Sequence, residues 1–257
     1  MTKTLLLSCL LIFLVSTTEE AIAQGAIALP KPGDFTASFG TNYDQQPRKN
    51  PKFYDRETGP TSFQLWVLPR WTLHAATNVF KSVDNIGSTR QTGFGDVVLG
   101  SSFQFLTNNG ASRPNLIVDY SAKLANAPKR IGGTREVDHQ LKASVSEALS
   151  ARTYLQLDSG AYWIGQTNGG FSTRGVNAFV FRYGLGSPPE QIYKWFFNNE
   201  IDYNSSALRT PSEVYDSLAV IHKFTPVTSL KTGVKVGITP YTPRFGLFSS
   251  FTFDRRQ

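Results

Sequence analysis

The chain has 257 residues and a formal charge of +7, with 26 Lys and Arg against 19 Asp and Glu, and it holds one Cys and one Met. Both Met1 and Cys9 fall in the first nine residues, so the rest of the chain has no disulfide, thiolate nucleophile or cysteine metal ligand. The basic residues are spread over loops and strands, with no basic helix or aromatic-flanked basic run, which argues against nucleic acid as a partner.

The first residues read as a secretory leader. Lys3 supplies the positive start, Thr4 to Val15 form an apolar run, and Ala21-Ile22-Ala23 is a small-residue cleavage site. Ala26-Ile27-Ala28 repeats that pattern and offers a second cleavage point. Leu6-Leu7-Ser8-Cys9 has the look of a lipoprotein box, but Cys9 lies inside the apolar run, which speaks against acylation. The run is too short for a membrane helix, which needs about twenty residues, and no later stretch supplies one. Residues 1–23 are therefore expected to be a signal peptide, 24–33 a periplasmic linker with Pro30 and Pro32, and 34–257 the folded body. Removing Lys3, Glu19 and Glu20 takes away a net −1, which leaves about +8 on the mature chain.

From residue 34 onward the hydropathy has period two. A first strand over about Asp34 to Tyr43 sets Phe35, Ala37, Phe39 and Tyr43 on one face. A second over Ser62 to Leu68 carries Phe63, Leu65 and Val67, and Pro69-Arg70 turns into a third over Trp71 to Phe80. The fourth, Gly93 to Leu106, sets Val97, Leu99, Phe103 and Phe105 against Asp96, Gly100, Ser102 and Gln104. The fifth, Asn115 to Leu124, sets Leu116, Val118, Tyr120 and Leu124 against Asp119, Ser121 and Lys123. A sixth runs over Asp138 to Leu149, where Ala143, Ser144 and Ala148 leave a helix as the alternative by propensity. The seventh, Thr153 to Trp163, opposes Leu155, Leu157, Ala161 and Trp163 to Gln156, Asp158 and Tyr162. The eighth, Val176 to Leu185, opposes Phe179, Phe181 and Tyr183 to Ala178, Val180 and Arg182. The ninth, Lys194 to Tyr203, opposes Trp195, Phe197, Ile201 and Tyr203 to Asn198, Glu200 and Asp202. The tenth, Glu213 to His222, has no clear face. The eleventh, Ser229 to Ile238, opposes Leu230, Val234, Val236 and Ile238 to Lys231, Gly233, Lys235 and Gly237. The twelfth sets Phe245, Leu247, Ser249, Phe251 and Phe253 against Arg244, Gly246, Ser250 and Thr252, with Phe248.

One continuous apolar face and one polar, charged face on every strand suits a sheet between two solvents. A closed sheet leaves no unpaired backbone in hydrocarbon, so the pattern predicts an all-β, antiparallel, up-and-down transmembrane barrel of about twelve strands. A water-soluble sandwich is the alternative, and the charged inner face counts against it. The odd-numbered gaps are about 18, 12, 13, 12, 9 and 5 residues and the even-numbered ones about 2, 8, 3, 8 and 6. Bacterial barrels put long loops outside and short turns at the periplasmic end, so both termini are expected to be periplasmic, in the bacterial outer membrane. Tyr43, Trp71, Trp163, Trp195, Tyr203 and Tyr241 lie near strand ends, the level of lipid headgroups. Outer-membrane lipid and lipopolysaccharide are the expected surroundings, and their phosphates suit a basic surface. The barrel-assembly machinery is a further expected partner. Recognition by a terminal aromatic is less straightforward here, because Asp254-Arg255-Arg256-Gln257 follows Phe253.

The charged positions on the inner faces are Asp96, Asp119, Lys123, Lys142, Asp158, Arg182, Glu200, Asp202, Lys231 and Lys235. Two readings of this set stay open. The charges either line a path and set its ion preference, or pair as a plug inside a narrow barrel that serves as a structural or surface-binding element. An enzyme is less well supported. Lipid-hydrolysing barrels use a His and Ser two residues apart on one strand face, whereas His74, His139 and His222 are each followed at that spacing by another residue. No cofactor motif is present: Gly132-Gly133 and Gly169-Gly170 lack a strand-to-helix context, and no His or Cys cluster has metal-ligand spacing.

Residues 92–100, Thr-Gly-Phe-Gly-Asp-Val-Val-Leu-Gly, resemble the Gly-x-Gly-Asp-apolar-x-Leu-Gly strand start of a large family of bacterial outer-membrane proteins. That family is described as belonging to the MetA pathway of phenol degradation, and its members are called simply transporters. The clear similarity covers one strand, with a looser likeness over Phe63 to Trp163. The resemblance implies a barrel that passes small solutes, aromatic compounds among them, across the outer membrane. Gly93, Gly95 and Gly100 would permit close strand approach or a kink, with Asp96 facing the lumen. A plain bend at the strand start is the bland reading of Gly93 and Gly95.

Overall fold

The protein, seen in a computed structural model, is described over residues 30–45, 55–83, 90–107, 114–128, 136–148, 153–166, 171–186, 195–204, 213–240 and 242–255. The expected signal peptide lies outside these residues. Thirteen β-segments are found among them: β1 (Phe35–Asp44), β2 (Arg56–Leu68), β3 (Trp71–Val83), β4 (Gln91–Gly93), β5 (Val98–Leu106), β6 (Asn115–Lys123), β7 (Asp138–Ala148), β8 (Thr153–Gly165), β9 (Phe171–Gly186), β10 (Trp195–Asn204), β11 (Glu213–Thr225), β12 (Thr228–Gly237) and β13 (Phe245–Arg255). Apart from β4 and β5, consecutive segments pair antiparallel, and β1 also pairs with β13, so the sheet closes on itself. The short β4 and β5 both pair with β3 and form one interrupted stave. The barrel therefore has twelve staves, the expected number.

The outside is apolar and the inside polar. Phe39, Phe63, Leu73, Leu99, Phe103, Leu141, Leu157, Leu218, Val234, Leu247 and Phe251 are all exposed. Among the described residues, buried apolar side chains are Trp66, Ala127, Tyr215, Ala219 and Ile221, against eighteen buried polar or charged residues. A water-soluble sandwich would have the opposite sorting. Burial follows period two: in β7, Asp138, Lys142, Ser144 and Ser146 are buried while Leu141, Ala143 and Val145 are exposed. A helix would repeat its buried face every three to four residues, so burial of alternate residues decides β7 against the helical alternative.

Twelve strands spaced ~4.8 Å apart and tilted ~40° give a circumference of ~75 Å and a backbone diameter of ~24 Å. Side chains of ~6 Å on each side leave an inner width on the order of 12 Å.

Several boundaries differ from expectation. The second strand starts at Arg56 instead of Ser62, and the third runs on to Val83. Gly59 and Pro60 read as loop residues in sequence. In the sheet, the pairing shifts between Thr58 and Pro60, and a bulge of this kind accommodates a residue with no N–H to donate. The eighth strand likewise starts at Phe171. With these bounds the gaps at one end are 11, 7, 14, 5, 8 and 7 residues and at the other 2, 8, 4, 8 and 2. The sorting into a long-loop end and a short-turn end persists with less contrast.

Candidate functional site: the inner wall

Among the described residues, staves β3 to β8 carry a dense group of charges. Lys142 Nζ donates to Asp158 Oδ2 at 2.8 Å, with both side chains buried, and Gln156 Nε2 donates to the other carboxylate oxygen at 2.8 Å. Nearer the long-loop end, Lys123 bridges Asp138 and also stands 3.7 Å from Asp96. Asp138 further accepts from Tyr162 Oη at 3.1 Å and from the Gly165 N–H at 3.0 Å. Asp138 and Asp158 thus each have a cation and further donors beside them, the condition under which a buried charge is tolerated.

Asp119 has a different setting. It accepts from Ser102 Oγ at 2.7 Å, and His74 Nε2 stands 3.5 Å away. His74 sits on β3, Ser102 on β5 and Asp119 on β6, so the imidazole reaches over β5 to its partner. It passes above Gly100, which lies opposite His74 in the ladder. A Cβ at Gly100 would stand 2.1 Å from His74 Nε2 and 2.7 Å from the Tyr120 carbonyl. The need for glycine here is steric. Ser, His and Asp meet, but the serine proton is directed to the carboxylate, while His74 Nδ1 is 3.4 Å from Ser102 Oγ. This is not the order in which a base activates a nucleophile, which requires the base against the hydroxyl and the acid behind the base.

The wall opposite, β11 to β2, is richer in cations. Asp44 takes Arg56 Nη2 at 2.5 Å on one oxygen and Lys235 Nζ at 2.5 Å on the other. Lys235 reaches Asp44 over β13, where a Cβ at Gly246 would meet Lys235 Cε at 2.5 Å and Asp44 Oδ1 at 2.8 Å. Lys235 also lies 5.2 Å above the Tyr215 ring, and Lys231 lies 5.9 Å above the Phe248 ring. Each of these bridges runs along the wall, between neighbouring staves or staves one apart.

The motif at 92–100 marks the interruption between β4 and β5. Gly93 ends β4, the Gly95 N–H donates to the Asn78 carbonyl at 2.8 Å, and a Cβ at Gly95 would lie 2.9 Å from Asn78 Cβ. On the other side, residues 124–127 replace the missing ladder. Asn126 donates to the Gly95 carbonyl at 3.1 Å and accepts from the Val97 N–H at 2.8 Å. Asp96 accepts from the Ala127 N–H at 2.7 Å. Asp96 therefore has a positioning role beside its contact with Lys123.

Of the ten charged positions singled out in sequence, Asp96 and Lys123 meet, Lys142 and Asp158 meet, Asp119 meets Ser102 and His74, and Lys231 and Lys235 share a face of β12. Arg182, Glu200 and Asp202 have side chains outside the described set; the ladder sets Glu200 opposite Arg182 and Ser217, and Asp202 opposite Tyr215. His74 and Asp138 on one side, and Asp44 and Arg56 on the other, also stand on the inner face and were not among the ten positions. His74 had a legible signal, since it alternates with the outward Leu73 and Ala75.

No protein-family model matches the chain, and no curated protein matches it. Among solved structures, the NanC porin aligns over 86% of this chain and 100% of that one, at 5% identity with a TM-score of 0.50. The KdgM porin aligns over 85% and 99%, at 9% identity with a TM-score of 0.49. The Pseudomonas putida toluene transporter TodX aligns over 96% and 97%, at 10% identity with a TM-score of 0.37. The fold is that of an outer-membrane barrel. At these identities the likeness is one of architecture.

Proposed function

We propose that the chain is a passive outer-membrane channel for small water-soluble solutes. The observation that carries this reading is the sideways pairing of the wall charges. Lys142 with Asp158, Lys123 with Asp138 and Asp96, and Asp44 with Arg56 and Lys235 are satisfied within the wall. Pairing along the wall leaves the axis of a barrel with an inner width on the order of 12 Å to water. A plug would need the same groups to reach one another across that width. Asp96, Asp119, Lys123, Lys142, Asp158, Arg182, Glu200, Asp202, Lys231 and Lys235 line the path in this reading, and flux follows the solute gradient. Residues 1–23 are removed on export and 24–33 form a periplasmic lead-in. The short likeness of residues 92–100 to the phenol-degradation transporters supports the same class of activity.

The test is planar-bilayer conductance and liposome swelling with the purified protein. Stable single-channel steps in potassium chloride are expected, with swelling rates that fall as solute size approaches the inner width. Charge reversal at Lys231 and Lys235 together should move the reversal potential toward cation preference. Absence of both conductance and swelling from correctly folded barrels would refute the channel and favour a structural or surface-binding barrel.

A further inference from the structure

Three atoms on the inner face of β2, β3 and β6 lack the hydrogen bond that burial calls for. They are Gln64 Oε1, His74 Nε2 and Asp119 Oδ1, each shut off from solvent and without a partner. The His74 and Asp119 side chains are both only 7% exposed. Gln64 stands opposite His74 in the β2–β3 ladder. His74 Nε2 lies 3.5 Å from Asp119 Oδ2 and makes no hydrogen bond there. Two ligands each ~2.1 Å from one ion stand ~3.4 Å apart at the tetrahedral angle, so the separation suits a shared metal ion. The groups behind agree. His74 Nδ1 faces Ser102 Oγ at 3.4 Å, and that hydroxyl donates to Asp119 Oδ2 at 2.7 Å. A proton on Nδ1 is then directed at Ser102 and the lone pair falls on Nε2, the way a ligating histidine is oriented. A Cβ at Gly100 would stand 2.1 Å from Nε2, so glycine keeps that nitrogen clear. The charged groups that His74 feels most are Asp119 and Lys142. Lys142 is held by Asp158, so Asp119, Lys142 and Asp158 together carry −1. Lys123, further along β6, lies between Asp138 and Asp96, and Arg182, Glu200 and Asp202 stand at least three staves from β6.

We infer that His74 and Asp119 bind a divalent transition-metal ion on the inner wall, with Gln64 Oε1 as a third donor. An imidazole nitrogen beside a carboxylate and an amide oxygen selects ions of the zinc, nickel and copper kind. Magnesium and calcium take oxygen donors and are disfavoured. Among the described residues no group of three His, Cys, Asp or Glu forms here, so the fourth position falls to water. The ion ties β3 to β6 across β5, where the direct contact leaves both partners unsatisfied. No ligand spacing shows in the sequence because residues 64, 74 and 119 come from three separate strands. The inference stands apart from the channel reading, since it needs only the folded barrel.

The test is a titration of the untagged barrel, stripped with a chelator in detergent micelles, with Zn²⁺ against a chromophoric competitor. A single ion should bind per barrel and raise the thermal unfolding midpoint, and Mg²⁺ at the same concentration should do neither. His74→Phe keeps a ring and removes both nitrogens, and Asp119→Asn keeps the shape and removes the charge. Each should weaken Zn²⁺ binding by about tenfold or more. Ser102→Ala should weaken it by about tenfold, the effect of losing a group that orients a ligating histidine. His139→Asn and His222→Asn should leave the affinity unchanged. An unaltered barrel that takes up no Zn²⁺ overturns the inference, and that result stands even if no variant folds. Uptake that is lost with His139 or His222, and kept without His74, overturns it as well.

Discussion

Lys142→Met is the most informative single change in the wall. The methionine keeps most of the length of the lysine but removes its charge, leaving the Asp158 carboxylate with Gln156 alone. The Lys142 and Asp158 side chains are 6% and 2% exposed, so the pair is desolvated. Two unit charges at 2.8 Å attract by about 6 kcal/mol at an effective dielectric of 20 and by about 1.5 kcal/mol in bulk water. Removing one partner of a buried pair typically costs 3–5 kcal/mol, because the other charge stays buried. With Gln156 still donating, the lower end applies, and a loss of about 3 kcal/mol is expected. Asp158→Asn alone should cost less, since a lysine on a long stem can move toward solvent. The double variant should recover about 2 kcal/mol relative to the sum of the single changes. The assay is urea-induced unfolding followed by tryptophan fluorescence, run as a double-mutant cycle. A cost below about 1 kcal/mol for Lys142→Met, together with no coupling, would mean that the pair is solvated like a surface bridge and that the reasoning about the wall is wrong.

Two further predictions concern the outside. Val234 is exposed near the middle of β12, and Val234→Arg should destabilise the barrel by about 2–4 kcal/mol in lipid, the midplane cost of a lipid-facing arginine; an effect near zero would remove Val234 from the bilayer. A peptide tag inserted near Lys52 should be reached by antibody on intact cells, and one placed after Gln257 only after permeabilisation; the reverse pattern would invert the barrel.

The faces of the strands were legible in the sequence because period two is a local property. Asp119, Lys123, Lys142, Asp158, Lys231 and Lys235 alternate in sequence with apolar neighbours, and of these Tyr120, Leu141 and Leu157 are exposed in the structure. The ends of strands were less legible. Arg56 and Glu57, with Gly59 and Pro60 next to them, have the composition of a solvated loop, and only pairing with β1 and β3 makes them strand. For the same reason Asp44 and Arg56 escaped attention as wall residues. The interruption at residues 94–97 was hidden more deeply, because Asn126, which stitches it, comes from a connection some thirty residues on. The ten charges could be listed from sequence but not matched to partners. Matching depends on the stagger between strands, which alternation alone does not specify.

That stagger is where the two glycine floors acquire a second meaning. A slip of one residue between strands turns apolar side chains inward and is rejected by the lipid. A slip of two keeps every face correct, so lipid cannot tell it from the native arrangement. Beneath His74 such a slip would bring Val98 or Ser102 where Gly100 now lies. Beneath Lys235 and Asp44 it would bring Arg244 or Phe248 in place of Gly246. Any of the four carries the Cβ that the bridge above has no room for. The bridges and their glycines are therefore compatible with the native register and sterically at odds with a two-residue slip, the family of errors to which an alternating sequence is blind.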